Sequence, residues 1–144
     1  MILPDANLLL HAYHTRAAQH EASKAWLEAT LSGHEIVRFA WVTLWAFLRI
    51  STSTKVLEHP LSIGEAAAAV SSWLERPNAG LIEPGDRHWT ILRQLLEAAQ
   101  CTGPLVTDAA LAALAIEHGA TLHTTDRDFS RFPGLAWTNP LERR

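Results

Sequence analysis

The chain has 144 residues, 48% hydrophobic and 19% charged, with a formal net charge of -3. This composition excludes a disordered or low-complexity protein, and the mild negative charge excludes a strongly basic coat for nucleic acid while leaving room for a local basic patch. One cysteine, Cys101, rules out an internal disulfide and a thiolate zinc site.

A chain of this size fits one domain, residues 1–144, and there is no internal repeat or Gly/Ser-rich linker to divide it. The first residues, Met1 to Asn7, reach a proline and an acid at once and lack the basic and apolar regions of a signal peptide. The longest mainly apolar run, Phe39 to Leu48, falls short of the roughly 20 residues that a membrane span needs. A cytoplasmic protein with no membrane partner is expected.

In chain order, short apolar runs predict strands at Ile2-Leu3, Ile36 to Phe39, Gly80 to Ile82, Leu105-Val106, Thr121 to Thr124 and Leu135 to Trp137. Helical spacing lies between them. Asp5 is placed to cap a helix starting near Ala6. Ala18, Ala22, Ala25, Trp26 and Ala29 mark a helix over Ala17 to Leu31 that stops at Ser32-Gly33, and Trp41, Trp45 and Leu48 form a stripe on another that ends near Ser51 to Ser53. Ser62 and Glu65 have the spacing of a capping box ahead of an alanine-rich helix to Leu74. Trp89, Leu92, Leu95 and Leu96 share one face of Asp86 to Gln100. Asp108 to His118 is apolar nearly all round and ends at Gly119, as a buried helix does. The alternation predicts an α/β fold with a mostly parallel sheet flanked by helices.

Asp5, Asp108 and Asp126 each follow one of these apolar runs. In an open parallel sheet such positions are neighbours at the carboxyl edge, where ligands bind. Clustered carboxylates repel one another unless a cation neutralises them, and a hard divalent ion such as magnesium or manganese suits oxygen ligands. An ion held there assists water attack on a phosphodiester. Asp128, two residues beyond Asp126, either joins the cluster or repels its neighbour, since same-face residues of an extended segment lie about 6.6 Å apart. Asn7, Thr107 and Thr125 are placed to orient the acids. Each acid also has a structural reading: Asp5 and Asp108 as helix N-caps, Asp126 and Asp128 as surface-turn residues paired with Arg127. The repeated arrangement favours the metal site over three separate caps.

Other sites fare worse. His11 and His14, with His20 beyond, lack zinc-ligand spacing, and the phosphate-binding glycine loops and the G-x-S-x-G elbow are absent. The six tryptophans mostly fall on apolar faces and read as core or interface; Arg49, Lys55 and Arg127 are candidates for holding RNA phosphates.

Pro4 to Leu10 (PDANLLL), Val106 to Ala120 (VTDAALAALAIEHGA) and Thr124 to Gly134 (TTDRDFSRFPG) resemble the PIN-domain ribonucleases, and specifically the VapC-type toxins of bacterial toxin-antitoxin pairs. The likeness covers essentially the whole chain, including Phe47 to Thr52 (FLRIST) and Trp137 to Leu141 (WTNPL). The resemblance implies a five-stranded parallel sheet, a magnesium- or manganese-dependent endoribonuclease, a homodimer and a small inhibitory antitoxin. It assigns Asp5, Asp108 and Asp126 as catalytic metal-binding acids, Asp128 as an additional acid, and Asn7 and Thr125 as neighbours. One departure stands out: PIN domains usually supply a further acid from the helix after the second strand, and Val42 to Arg49 contains none, the expected glutamate falling near Leu44. Asp128 and Glu117 are the candidates to replace it. Two functions follow: an RNA-cleaving toxin, or an antitoxin-binding module with weak or no nuclease activity. A receiver-type phosphoacceptor is disfavoured because neither Lys24 nor Lys55 follows a late strand.

Overall fold

The computed structural model describes residues 1–142. Five strands, β1 (Ile2–Pro4), β2 (Val37–Ala40), β3 (Ala79–Ile82), β4 (Thr121–His123) and β5 (Trp137–Thr138), form one sheet in the order β3-β2-β1-β4-β5. Every pairing is parallel. The helices are α1 (Ala6–Tyr13), α2 (His20–Ser32), α3 (Trp41–Ser51), α4 (Ile63–Leu74), α5 (His88–Ala98) and α6 (Leu105–His118). Strand order reverses at β1, between β2 and β4, and a crevice opens at the carboxyl ends of strands flanking such a reversal.

Alternation in β1 sends Ile2 to one face and Leu3 to the other, so each face has its own core. Around Ile2 pack Leu9, Leu27, Phe39, Leu44, Phe47 and Trp73 from the α1 to α4 side. Around Leu3 pack the alanines and leucines of α6 with Leu95, Phe129 and Phe132. Small residues let α6 lie close against the sheet, and Gly119, at φ 66°, ends it in the left-handed conformation that costs glycine little. The predicted capping box of α4 is present, with Ser62 and Glu65 each bonded to the other's backbone.

Three expectations are corrected. Leu105-Val106 is the first turn of α6 and not a strand. Pro104, at φ -59°, occupies the cap position of α6, where the missing proline N–H costs nothing. Asp108 is therefore inside the first turn and is not an N-cap. Asp126 and Asp128 are not same-face strand residues either, because β4 ends at His123 and residues Arg127–Arg131 form a 3₁₀ turn. Element ends also move: the helix expected from Ala17 begins at His20, that from Asp86 at His88, and the last strand lies at Trp137–Thr138.

Trp41 and Trp45 on α3 stack with centroids 6.3 Å apart and stay 40% and 63% exposed. They border a hollow of about 410 Å³ with Val42, Ile82, Pro84 and His88. Among the described residues, no helix is long and apolar enough to cross a membrane.

Candidate active site

Asp5 leaves β1 and caps α1, its Oδ1 accepting the Ala6 N–H at 2.7 Å. Its own N–H donates to the His123 carbonyl at 2.9 Å, which ties the start of α1 to the end of β4. The next residue of that neighbouring strand's exit, Thr124, is fully buried and donates its hydroxyl to Asp5 Oδ2 at 2.7 Å. The Thr124 oxygen also accepts from the Asp126 N–H at 3.0 Å and from Asn7 Nδ2 at 3.3 Å. One hydroxyl offers one donor and two acceptor sites, so this group is saturated and its proton must point to Asp5. Asp126 then caps the 3₁₀ turn by accepting the Asp128 N–H at 2.9 Å. A single buried hydroxyl thus positions Asp5, Asn7 and Asp126 together.

Asp108 comes from the first turn of α6, where the helix dipole favours an anion. Its carboxyl is pushed up to about 6, first by burial and then by Asp5, Asp126 and Asp128, with Arg131 opposing. The other three predicted acids therefore all bear on Asp108. Asp5 is also raised, because burial outweighs its hydrogen bonds from Thr124 and Ala6, and Asp126 adds repulsion. Burial leads both shifts, and repulsion between the carboxylates adds to it.

The donor set suits a hard cation. All four acids offer oxygen, and Asn7 Oδ1 is buried without a hydrogen-bond partner while Nδ2 is engaged by Thr124. Among the described residues, no group of three His, Cys, Asp or Glu side chains closes into a ready metal cage. Magnesium commonly takes one or two carboxylates and keeps waters or substrate phosphates as its other ligands.

The remaining candidates separate. Thr125 is half-buried beside the hydroxyl network, whose threonine is Thr124, and Thr107 is exposed. Arg127 is exposed and pairs with Glu142 at 2.8 Å. Arg49 lies eight residues beyond Trp41, about 12 Å along α3 from the end nearest the carboxyl edge. Leu44, where the extra glutamate was expected, is 1% exposed in the core. Glu117 is nine residues beyond Asp108, about 14 Å along α6, and accepts the Gly85 and Arg87 N–H groups at 2.8 and 3.0 Å. Those bonds, Gly85 foremost, hold its carboxyl below the usual range. Glu117 fastens the entry to α5 and does not replace the missing acid.

Sequence reasoning missed Thr124 and Arg131. Thr124 is in phase with buried Leu122, and a polar side chain in such a position needs partners. Arg131 stands three residues after Asp128, the spacing at which side chains meet across a helical turn.

A profile of the PIN domain matches residues 2–135. Ribonuclease VapC33 of Mycobacterium tuberculosis is 44% identical over 141 residues, covering 98% of this chain and 99% of that protein. Ribonuclease VapC37 of the same species is 43% identical over 140 residues, with 97% of each covered. Among solved structures, VapBC2 from Rickettsia felis bound to a promoter DNA fragment matches with a TM-score of 0.69 at 20% identity, covering 96% of this chain and 98% of that one. Mycobacterium tuberculosis VapC20, a sarcin-ricin loop cleaving toxin, matches at 0.65 with 17% identity, covering 94% and 99%. At such identities the structural likeness speaks for the fold.

Proposed function

From the premise that the chain belongs to the VapC-type PIN-domain family, we propose that it is an endoribonuclease toxin, dependent on magnesium or manganese and neutralised by a cognate antitoxin protein. The observation that carries this reading is the grouping of Asp5, Asp108, Asp126 and Asp128 near the strand-order reversal, with Asp108 raised to about 6 by burial first and then by the other three acids. Relatives named ribonucleases cover almost the whole chain, and toxin-antitoxin assemblies share its fold.

Asp5, Asp108 and Asp126 would hold the ion, with Asp128 beside them. A divalent cation supplies the Lewis acidity that phosphodiester hydrolysis needs. Thr124 fixes the orientation of Asp5 and the backbone of Asp126, so the acids meet the cation without first having to be ordered. Asn7 offers a further oxygen to the cation or its hydration shell.

The exposed Trp41-Trp45 pair and its hollow support a homodimer through this face, because stacked indoles left in water are an interface's usual composition. The absence of an acid on α3, with Leu44 sealed in the core, favours a second reading, an antitoxin-binding module that cleaves weakly or not at all. Incubating total cellular RNA with antitoxin-free protein in magnesium, manganese or chelator, beside Asp5→Asn, separates the two. Metal-dependent cleavage absent from the variant supports the nuclease; intact RNA in every metal supports the binding module.

A further inference from the structure

Every acid in the crevice repels an incoming phosphodiester, so RNA needs a positive partner at the rim as well as any bound cation. Arg127 is engaged by Glu142, and Arg49 sits toward the far end of α3. The cation whose charge reaches Asp108 is Arg131, in the last position of the 3₁₀ turn.

Its geometry leaves it available. Arg131 Nε donates to the Asp128 carbonyl at 3.2 Å, which fixes the plane of the guanidinium. Nη2 stands 3.9 Å from Asp128 Oδ1, too long for a hydrogen bond, and the side chain is 37% exposed. Buried Phe129 and Phe132, their rings 5.8 Å apart, bracket this stretch and pin the turn to the core. The guanidinium therefore presents a preset fork of uncommitted donors, a shape that matches two phosphate oxygens.

We infer that Arg131 is the RNA-phosphate-binding residue of the site, gripping the phosphodiester at the edge of the acid cluster. This rests on the ribonuclease reading. Because the contact is to phosphate, it strengthens binding for any sequence.

The test measures binding of a fluorescent single-stranded RNA of mixed sequence in magnesium, across a salt series. An Asp5→Asn background keeps the RNA intact, and cleavage by the otherwise unaltered protein is assayed in parallel. Adding Arg131→Ala is expected to weaken binding by about tenfold and to reduce the salt slope by roughly 0.7, the loss of one phosphate contact on a single strand. Arg131→Lys keeps the slope while losing part of the affinity, and Arg93→Ala, a charge on the outer face of α5, changes neither. Circular dichroism establishes that each variant is folded, and Arg131→Gln, which keeps the stem, must repeat the loss. Equal affinity and slope in the folded Ala and Gln variants would overturn the inference and leave Arg131 as a partner of Asp128 only, with the nuclease reading intact. If the unaltered protein does not cleave RNA and the Asp5→Asn protein does not bind it, both fall together.

Discussion

Thr124 and Asp5 are 119 residues apart in the chain and joined by a 2.7 Å hydrogen bond from a hydroxyl that no solvent reaches. The same oxygen takes the Asp126 N–H. The acid site is thus organised by a neutral residue.

Thr124→Val removes that oxygen and strands Asp5 Oδ2, the Asp126 N–H and Asn7 Nδ2 in a buried place. The expected cost is about 1–3 kcal/mol of stability, read by urea denaturation, together with a loss of RNA cleavage. Thr124→Ser keeps the hydroxyl and should retain most of both. A Val variant as stable and active as the parent would remove Thr124 from its organising role.

Asp108 has a carboxyl raised to about 6, above its unfolded value of 3.8, so the folded state holds the extra proton between those values. Stability of the metal-free protein should fall as pH rises through this window and level off above about pH 6. Asp5, raised by burial, pushes in the same direction. Asp108→Asn should raise the thermal midpoint near neutral pH and change it little near pH 4, whereas added magnesium should stabilise the parent mainly above about pH 6. A magnesium effect that is flat with pH would disconnect the ion from these acids.

Leu44→Glu places the family's usual acid at the position suggested by alignment, where the structure has a core side chain. Burying a carboxylate among Leu9, Phe39 and Phe47 is expected to cost on the order of 3 kcal/mol or more, with no gain in manganese affinity. Calorimetric titration showing a tighter ion would mean that the side chain can turn toward the crevice.

Trp45→Asp puts a charge on the stacked, exposed indole pair. Light scattering after size exclusion should show a dimer for the parent and a monomer for the variant, with the thermal midpoint of the monomer's own fold little changed. A variant that remains dimeric would move the interface elsewhere.

The sheet and its helices were legible because apolar runs and helix ends are local signals: Ser62 with Glu65, and Gly119 after an apolar helix, each declare a boundary by themselves. Asp5, Asp108 and Asp126 were singled out by their repeated position after apolar runs, and Asp128 by its spacing from Asp126. For Asp108 that logic rested on a strand that is absent, since Leu105-Val106 is helical and Pro104, rather than a strand end, sets its place. Thr124 and Thr125 look alike in the sequence, and only the packing of β4 decides which one faces inward. Glu117 was an open candidate because a carboxylate's distance from the crevice is fixed by helix length and by the Gly85 and Arg87 amides that hold it.

The central strand, β1, takes β4 as a neighbour by pairing Ile2 with Thr121, so the contact joins distant parts of the chain. Asp5 follows β1, whereas Thr124, which aims it, and Asp126, which stands beside it, follow β4. A folding chain therefore has no assembled acid site until β1 and β4 have paired. Closing so long a loop is slower than forming local contacts, so strand order makes assembly of the acid cluster a late event in folding.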